Sequence, residues 1–366
     1  MICSRLMPMS LFRHCLDDIT FSKNMAKKIK NIAFCGSIVA FVIVLLWLAQ
    51  CMLVPKYMTD IPEGALIAEY YNETVEHDVI FVGDCEVYEN FSPIVLWEQY
   101  GISSYIRGSA QQLIWQSYYL LEDMYRYEAP EVIIFNVLSM KYDEPQSEAY
   151  NRMSIDGMRM SSSKLGAIKA SMTDEEDTIT YIFPLLRYHS RWSEIGKEDF
   201  EYMFKRDILG HSGYLMQTGV RPVVELPAPV PLENYEFSDV CWDYLDRMRE
   251  LCEAHGSKFV LIKAPSLYPH WYDEWEEQII TYAQKYNLKY YNLLEMCDEI
   301  GIDWATDTYD MGLHLNVSGA EKLSAYFGEM LARDFGLEDN RANSDMARVW
   351  TDKCEKYYKE KEEKTK

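Results

Sequence analysis

The chain has 366 residues, of which 48% are hydrophobic and 14% aromatic, a composition typical of a folded protein and not of a long disordered one. This length allows one large domain or two smaller ones. The net charge of −22 argues against nucleic-acid binding, because so acidic a chain cannot neutralise phosphates.

The N-terminal part combines a basic segment with an uncharged one. Residues 1–31 are net basic and we expect them to be cytoplasmic. Residues 32–54, IAFCGSIVAFVIVLLWLAQCMLV, carry no charge and would form a helix about 34 Å long, enough to cross a bilayer. The sequence therefore predicts a single transmembrane helix with the remaining chain outside the cell membrane. A cleaved signal peptide is the alternative.

After a short predicted stalk over residues 55–77, strand-like runs alternate with helical stretches. This alternation predicts an α/β fold in which a parallel sheet lies between two layers of helices. Ligands of such folds bind at the C-terminal ends of the strands. The predicted strands are Val79–Val82, Ser104–Ile106, Val132–Phe135, Lys258–Ile262 and Lys289–Leu293, and the predicted helices are Pro93–Tyr100, Ala110–Tyr127, Phe237–His255, Trp271–Tyr286 and Leu315–Phe335.

Two segments depart from the alternation. Residues 139–231 form an insertion that leaves the C-terminal end of the third strand, so we expect it to cover the site as a cap. The sequence RYHSRW within it supplies Arg187, His189 and Arg191, which would suit an anionic or sugar ligand; ion pairs with the acidic body explain them equally well. Residues 340–366 are highly charged and are expected to be a partly ordered helix or a solvated end.

Chemically capable residues follow several predicted strands. Cys85 comes directly after the first strand, Gly108 ends the second and Asn136 ends the third, while His314 precedes the last helix. A thiol can attack an acyl carbon while an imidazole takes its proton, and a carboxylate orients that imidazole. The N–H groups of Cys85 and Gly108 and the amide of Asn136 would receive the oxyanion. The sequence thus predicts acyl transfer at the edge of the sheet.

The order of a strand ending in GD and a nucleophile, a strand with Gly, a strand with Asn and a C-terminal His resembles the SGNH/GDSL hydrolase superfamily. The ending HLNVSGAEKL resembles membrane-anchored Gram-positive members, similar to proteins of teichoic acid D-alanylation and polysaccharide O-acetylation. The resemblance covers residues 78–136 and 237–335, within a domain expected at 78–339. It implies an SGNH-like, flavodoxin-like fold whose signature residues fall on Cys85, Gly108, Asn136 and His314.

Two positions depart from the family pattern. Cys85 replaces the family serine, and a thiolate does not necessarily suit machinery tuned for serine. The family acid stands three residues before the histidine, where this chain has Met311. Asp310 and Asp307 are the alternatives for the acid, and we favour Asp310 because one inserted loop residue could still bring it to the imidazole.

The resemblance implies an extracytoplasmic esterase or O-acyltransferase that acts on acyl or acetyl esters of cell-envelope glycans. A polysaccharide or teichoic acid would be the substrate, and a membrane-bound O-acyltransferase is a possible partner. No cofactor or metal is expected, since no Cys/His cluster is found in the sequence. Two alternatives stay open: a non-catalytic scaffolding protein of the same fold, and a redox-sensing thiol.

Overall fold

A computed structural model describes residues 9–53, 62–197, 199–200 and 208–366, with the backbone alone for 9–24, 26 and 62–64. The start of the predicted cytoplasmic segment, 1–8, the end of the predicted membrane helix, Val54, and the start of the predicted stalk, 55–61, lie outside the described residues, as do positions 198 and 201–207 of the predicted cap. The chain divides into two compact units, residues 1–54 with 185–204, and residues 55–184 with 205–366.

The second unit, hereafter the α/β unit, contains a parallel sheet whose strands alternate with helices along the chain. The strands are β1 Val79–Gly83, β2 Ser104–Gly108, β3 Val132–Asn136, β4 Lys258–Lys263 and β5 Lys289–Asn292. Among the described residues the helices include α1 Met9–Leu53, α2 Pro62–Glu69, α3 Cys85–Tyr88, α4 Pro93–Tyr100, α5 Ile114–Met124, α6 Glu148–Ile155, α7 Ser162–Ser171, α8 Thr178–Ile182, α9 Leu185–Tyr188, α10 Asp239–His255, α11 Asp273–Tyr286, α12 Cys297–Ile300, α13 Val317–Phe335 and α14 Ser344–Thr365. The predicted parallel sheet flanked by helices is confirmed.

The sheet has the order β2-β1-β3-β4-β5, and every neighbouring pair is parallel. Because side chains alternate across a strand, Phe81 faces one layer and Ile80 and Val82 face the other. The first layer contains α4, α13 and α14, and the second contains α5, α10 and α11. The order reverses between β1 and β3, which is where doubly wound sheets open a crevice for ligands.

The predicted stalk and the C-terminal tail both pack within the α/β unit. Residues Pro62–Glu69 of the predicted stalk form a helix, α2, in which Leu66 and Ile67 are fully buried. The predicted charged tail is also a packed helix, α14, because Trp350 and Tyr357 on one of its faces are fully buried. The Trp350 ring stacks on that of Trp97, with ring centroids 5.2 Å apart.

The predicted cap is not a single body. Its helices α6 to α8 continue the α/β unit, where α7 packs against α5. Residues 185–204 belong instead to the unit of α1. The chain then returns to the α/β unit, and residues 217–223 run beside the loop before α13, with Arg221 N–H bonded to Thr308 O and Val223 N–H to Trp304 O.

The first unit is built on α1. Its stretch Lys27–Leu53 is long and apolar enough to span a membrane, in agreement with the apolar run noted in the sequence. The predicted span of 32–54 lies within this stretch except for its last residue. The segment 185–193, made of α9 and a 3₁₀ turn, packs against α1 within the same unit.

Candidate active site

The candidate site lies at the C-terminal ends of β1 and β3, where the strand order reverses. Cys85 is the first residue of α3, and its N–H stands at a helix start, where an N–H has no intrahelical partner. Gly108, at the end of β2, pairs in register with Gly83. A Cβ at Gly108 would lie 3.0 Å from Val87 Cγ2, so glycine permits the close approach of α3 to the sheet.

The loop before α13 brings an imidazole to the same place. Met311, with φ 68°, and Gly312, with φ 91°, make a left-handed turn that reverses the chain between Asp310 and His314. The backbone N–H of His314 donates to Asp310 Oδ1 at 2.8 Å and so closes the turn. Asn316 then caps α13 by accepting hydrogen bonds from the N–H groups of Ser318 and Gly319. Met311 is the additional residue relative to the family spacing, and the turn accommodates it.

Two carboxylates flank one nitrogen of His314. Asp310 Oδ2 lies 2.7 Å from Nδ1, and Glu89 Oε2 lies 3.1 Å from the same atom. The Tyr309 hydroxyl donates to Glu89 Oε2 at 2.6 Å. Asp307, the alternative acid, instead contacts Lys322 Nζ at 2.6 Å. Of the two candidates named from the sequence, the structure therefore brings Asp310 to the imidazole.

The imidazole also lies near the Cys85 thiol. Cys85 and His314 are close enough that each shifts the pKa of the other. Nε2 of His314 is buried and has no hydrogen-bond partner of regular geometry among the described residues. The order thiol, imidazole, carboxylate is that of a nucleophile–His–Asp triad in which the acid holds Nδ1 and leaves Nε2 for the nucleophile.

The surroundings set the resting protonation state of this triad. Burial opposes the charged imidazole, but the hydrogen bond to Asp310 and the contacts with Cys85 and Glu89 outweigh it and raise the pKa of His314 to about 12. Burial and the neighbouring Asp84 raise the pKa of the Cys85 thiol, although His314 acts in the opposite direction. The carboxylates of Asp310 and Glu89 thus favour the imidazolium form of His314, and burial favours the neutral form of the Cys85 thiol.

No family model matches the chain, and no curated protein matches it. The functional case therefore depends on the geometry of the site and on the strand-end motifs.

A buried charged network fills the space behind Cys85. Glu86 receives Lys263 Nζ on both carboxylate oxygens at 3.0 Å and also the hydroxyl of Ser266. Lys263 is completely buried and donates in addition to Ala264 O and to Ser266 Oγ. Glu86 and Asp84 share the amide of Asn136, and burial together with Glu86 raises the pKa of Asp84 to about 6. The network thus joins the buried Lys263–Glu86 ion pair to Asp84 through the Asn136 amide.

The Asn136 side chain belongs to this network. Its two amide hydrogens go to Asp84 Oδ1 at 3.0 Å and Glu86 Oε2 at 2.8 Å, and its oxygen accepts from the N–H of Ala264. A primary amide has two N–H donors, so both are used. Asn136 would have to release a carboxylate before it could serve as the expected oxyanion donor. The backbone N–H groups of Cys85 and Gly108 are the remaining candidates for that role.

The His314 cluster also has the composition of a cation site. Glu89, Asp310 and His314 each bring one ligand atom to within 4.8 Å of the others. Carboxylate oxygens and an imidazole nitrogen suit several divalent metals. A cation there would have to displace the proton that His314 Nδ1 shares with the two carboxylates.

The basic residues of RYHSRW, which were expected to suit an anionic or sugar ligand, make contacts within the unit of α1. Arg191 contacts Glu194 at 3.3 Å and Asp199 at 3.8 Å. His189 Nδ1 is 2.8 Å from Leu186 O, and the Arg187 guanidinium lies 5.9 Å from the Tyr188 ring centroid. These three residues belong to the unit of α1, whereas the triad belongs to the α/β unit.

Sequence reasoning did not identify Glu89, Tyr309 or Glu86 as parts of the site. The stretch CEVYEN could have indicated the two acids, because Glu86 directly follows Cys85 and Glu89 lies one helical turn after it. Glu86 is 1% exposed and Glu89 6%, values that carboxylates reach when they are paired. Their pairing partners are 177 and 225 residues away in the sequence, so the local pattern could not reveal them.

Proposed function

We propose that this protein is a membrane-anchored, extracytoplasmic esterase or O-acyltransferase of the SGNH type, acting on acyl or acetyl esters of cell-envelope glycans. The observation that carries the proposal is the position of His314, whose Nδ1 lies 2.7 Å from Asp310 Oδ2 and which is close enough to the Cys85 thiol for each to shift the pKa of the other. The same arrangement supports hydrolysis and transfer, because the two differ only in the group that accepts the acyl unit.

In the proposed reaction, neutral His314 takes the proton of the Cys85 thiol on Nε2 while the sulfur attacks the ester carbon. The backbone N–H groups of Cys85 and Gly108 receive the oxyanion. As the ester C–O bond breaks, the leaving alcohol takes the proton from Nε2 and a thioester remains on Cys85. Water or a glycan hydroxyl then attacks the thioester, gives its proton to His314, and releases the thiol as the acyl product leaves.

The setting of the proposed chemistry follows from α1. A chain anchored by Lys27–Leu53 with its basic end in the cytoplasm would hold the α/β unit outside the membrane. Substrates there are envelope polymers, such as a polysaccharide or a teichoic acid. A membrane-bound O-acyltransferase is the proposed source of acyl groups if the protein acts by transfer.

The test is turnover of a chromogenic acetyl ester by the full chain in detergent micelles. Wild type should turn over the ester, and Cys85→Ala and His314→Ala should each lose at least about 10²-fold in kcat/KM. A +acetyl mass shift on the Cys85 peptide after rapid acid quenching would identify the thioester. Equal turnover in all three proteins would disprove the proposed mechanism.

A second candidate is a non-catalytic scaffold of the same fold in an envelope-modifying complex. Two observations favour it: the Asn136 amide is fully used, and the surroundings raise the pKa of the Cys85 thiol, which disfavours the thiolate. Under this alternative the ester assay shows no turnover at any pH between 6 and 10, and Cys85 takes up no acyl group. Appearance of the acylated Cys85 peptide would eliminate the scaffold alternative.

A further inference from the structure

The C-terminal end of α1 is partly buried, whereas the rest of its apolar stretch is exposed. Side chains from Lys27 to Trp47 are exposed, whereas those of residues 48–53 are half-buried. The segment 185–193, hereafter the anchor segment, packs against α1. The exposed part of α1 is suited to lipid, so the anchor segment accompanies the helix only near its end.

A specific hydrogen bond ties the anchor segment to the last residue of α1. Arg191 Nη1 donates to the carbonyl oxygen of Leu53 at 2.8 Å. The last carbonyls of a helix have no intrahelical donor, and an arginine there satisfies one of them and complements the helix dipole. Glu194 and Asp199 also contact the Arg191 guanidinium and hold it in place. The position of the anchor segment along α1 is thereby set at the helix end.

The length of α1 places that end at the membrane surface. The apolar stretch Lys27–Leu53 has 27 residues, which at about 1.5 Å each extend about 40 Å. A bilayer hydrocarbon core is about 30 Å thick, so the terminal turns lie in the headgroup regions. Lys27, Lys28 and Lys30 mark one such region, and the half-buried turn that ends at Leu53 marks the other.

At this depth the anchor segment exposes apolar and aromatic side chains. Trp192 is 73% exposed and Leu186 is 52% exposed, with Arg187 and His189 beside them on the surface. Exposure of a tryptophan and a leucine to water costs free energy. At the membrane–water interface the indole ring lies at headgroup level and the leucine side chain reaches the upper acyl chains, so this cost is removed. Arginines suit the same layer because they reach lipid phosphates.

We propose that the anchor segment is a membrane-interface anchor, which inserts Trp192 and Leu186 among the phospholipids of the leaflet at which α1 ends. The cluster Arg187, His189 and Arg191 then serves phospholipid headgroups and the helix end instead of a glycan substrate. The occupant is lipid because Arg191 joins the segment to the end of the apolar helix, at headgroup depth. The inference does not depend on chemistry at Cys85.

The test uses full-length protein in vesicles of phosphatidylcholine whose acyl chains are brominated, because bromine quenches nearby tryptophan. The emission of Trp192 is obtained as the difference between wild type and Trp192→Phe. We expect that difference to be quenched most by bromine at carbons 6 and 7, close to the headgroup. Phe41→Trp in the Trp192→Phe background is the matched control, since Phe41 lies near the middle of the exposed part of α1 and a tryptophan there should respond more to bromine at carbons 11 and 12.

A second probe position strengthens the test. Leu186→Trp in the Trp192→Phe background should restore the shallow quenching, because residue 186 belongs to the same anchor segment. Trp192 emission that neither bromolipid quenches would overturn the proposal. Evidence that the anchor segment binds protein would also overturn the proposal. That evidence would be Trp192 emission that is shifted to shorter wavelength but not quenched, together with a crosslink from the segment to a second copy or to another protein.

Discussion

Asp310 holds one carboxylate oxygen 2.7 Å from Nδ1 of His314, and the same residue accepts the backbone N–H of His314 through its other oxygen at 2.8 Å. One side chain thus orients both the ring and the backbone of the candidate base. Burial alone would favour the neutral imidazole, but the contacts with Asp310, Cys85 and Glu89 outweigh it. The loop and the protonation state of its histidine are therefore coupled.

The first prediction concerns the choice of acid. Asp310→Asn should lower kcat for the chromogenic ester by about 10³-fold or more, because an amide favours the wrong imidazole tautomer. Asp307→Asn is the matched control: Asp307 contacts Lys322, so the substitution should leave kcat within a few-fold of wild type. Equal losses in the two variants would mean that His314 is not the base that Asp310 orients.

The second prediction concerns pH. His314 has a raised pKa, so the neutral base is present only at alkaline pH, and Glu89 contributes to that rise. Glu89 also raises the pKa of the Cys85 thiol. Removing its charge lowers both pKa values, so Glu89→Gln should move the alkylation profile of Cys85 to lower pH.

Alkylation is measured by mass spectrometry of the Cys85 peptide after iodoacetamide treatment between pH 6 and 11. The matched control is Glu360→Gln, which removes the carboxylate that contacts His211 Nε2 at 2.8 Å in another part of the α/β unit. That variant should leave the Cys85 profile unchanged. A profile that stays in place in Glu89→Gln, or moves to higher pH, would contradict the electrostatic account of the site.

The third prediction concerns the buried network. Lys263→Met leaves the carboxylates of Glu86 and Asp84 without their buried cation and should lower the free energy of unfolding by about 3–5 kcal/mol. Lys263→Met with Glu86→Gln should cost clearly less than the sum of the two single changes, because neither member of the Lys263–Glu86 ion pair is left charged without the other. Lys359→Met is the control, since its pair with Glu363 is exposed, and it should change stability by less than about 1 kcal/mol.

These stabilities are obtained from urea unfolding of the full chain in detergent, followed by near-ultraviolet circular dichroism. Strict additivity of Lys263→Met and Glu86→Gln would show that the two groups do not interact.

The fourth prediction concerns the last helix. Trp350 is fully buried and stacks on Trp97, so Trp350→Ala should cost about 3–5 kcal/mol. Glu355→Ala, an exposed position on the same helix, should lie within about 0.5 kcal/mol of wild type. The same unfolding measurement decides: if Trp350→Ala unfolds like wild type, α14 is the dispensable tail that its charge suggests.

Local patterns explain what could be predicted. Alternation of short β-branched runs with amphipathic stretches depends on neighbours in the sequence, and it correctly indicated a parallel sheet between helices. The apolar stretch near the N-terminus is likewise a property of consecutive residues. The charged composition of residues 340–366 left a helix and a solvated end both open. The structure has the helix, because two buried aromatic residues on one of its faces outweigh many exposed charges.

By itself, the sequence determined the layered α/β architecture and the apolar N-terminal helix. It also determined that Cys85, Gly108 and Asn136 lie at strand ends on one edge of the sheet, because strands that alternate with helices run parallel. Only the tertiary structure decided that Asp310 contacts His314, that Glu89 joins it, and that the Asn136 amide is occupied by Asp84 and Glu86. Each of these depends on hydrogen bonds between atoms that loop conformation or distant segments bring within about 3 Å, and no sequence period encodes such distances.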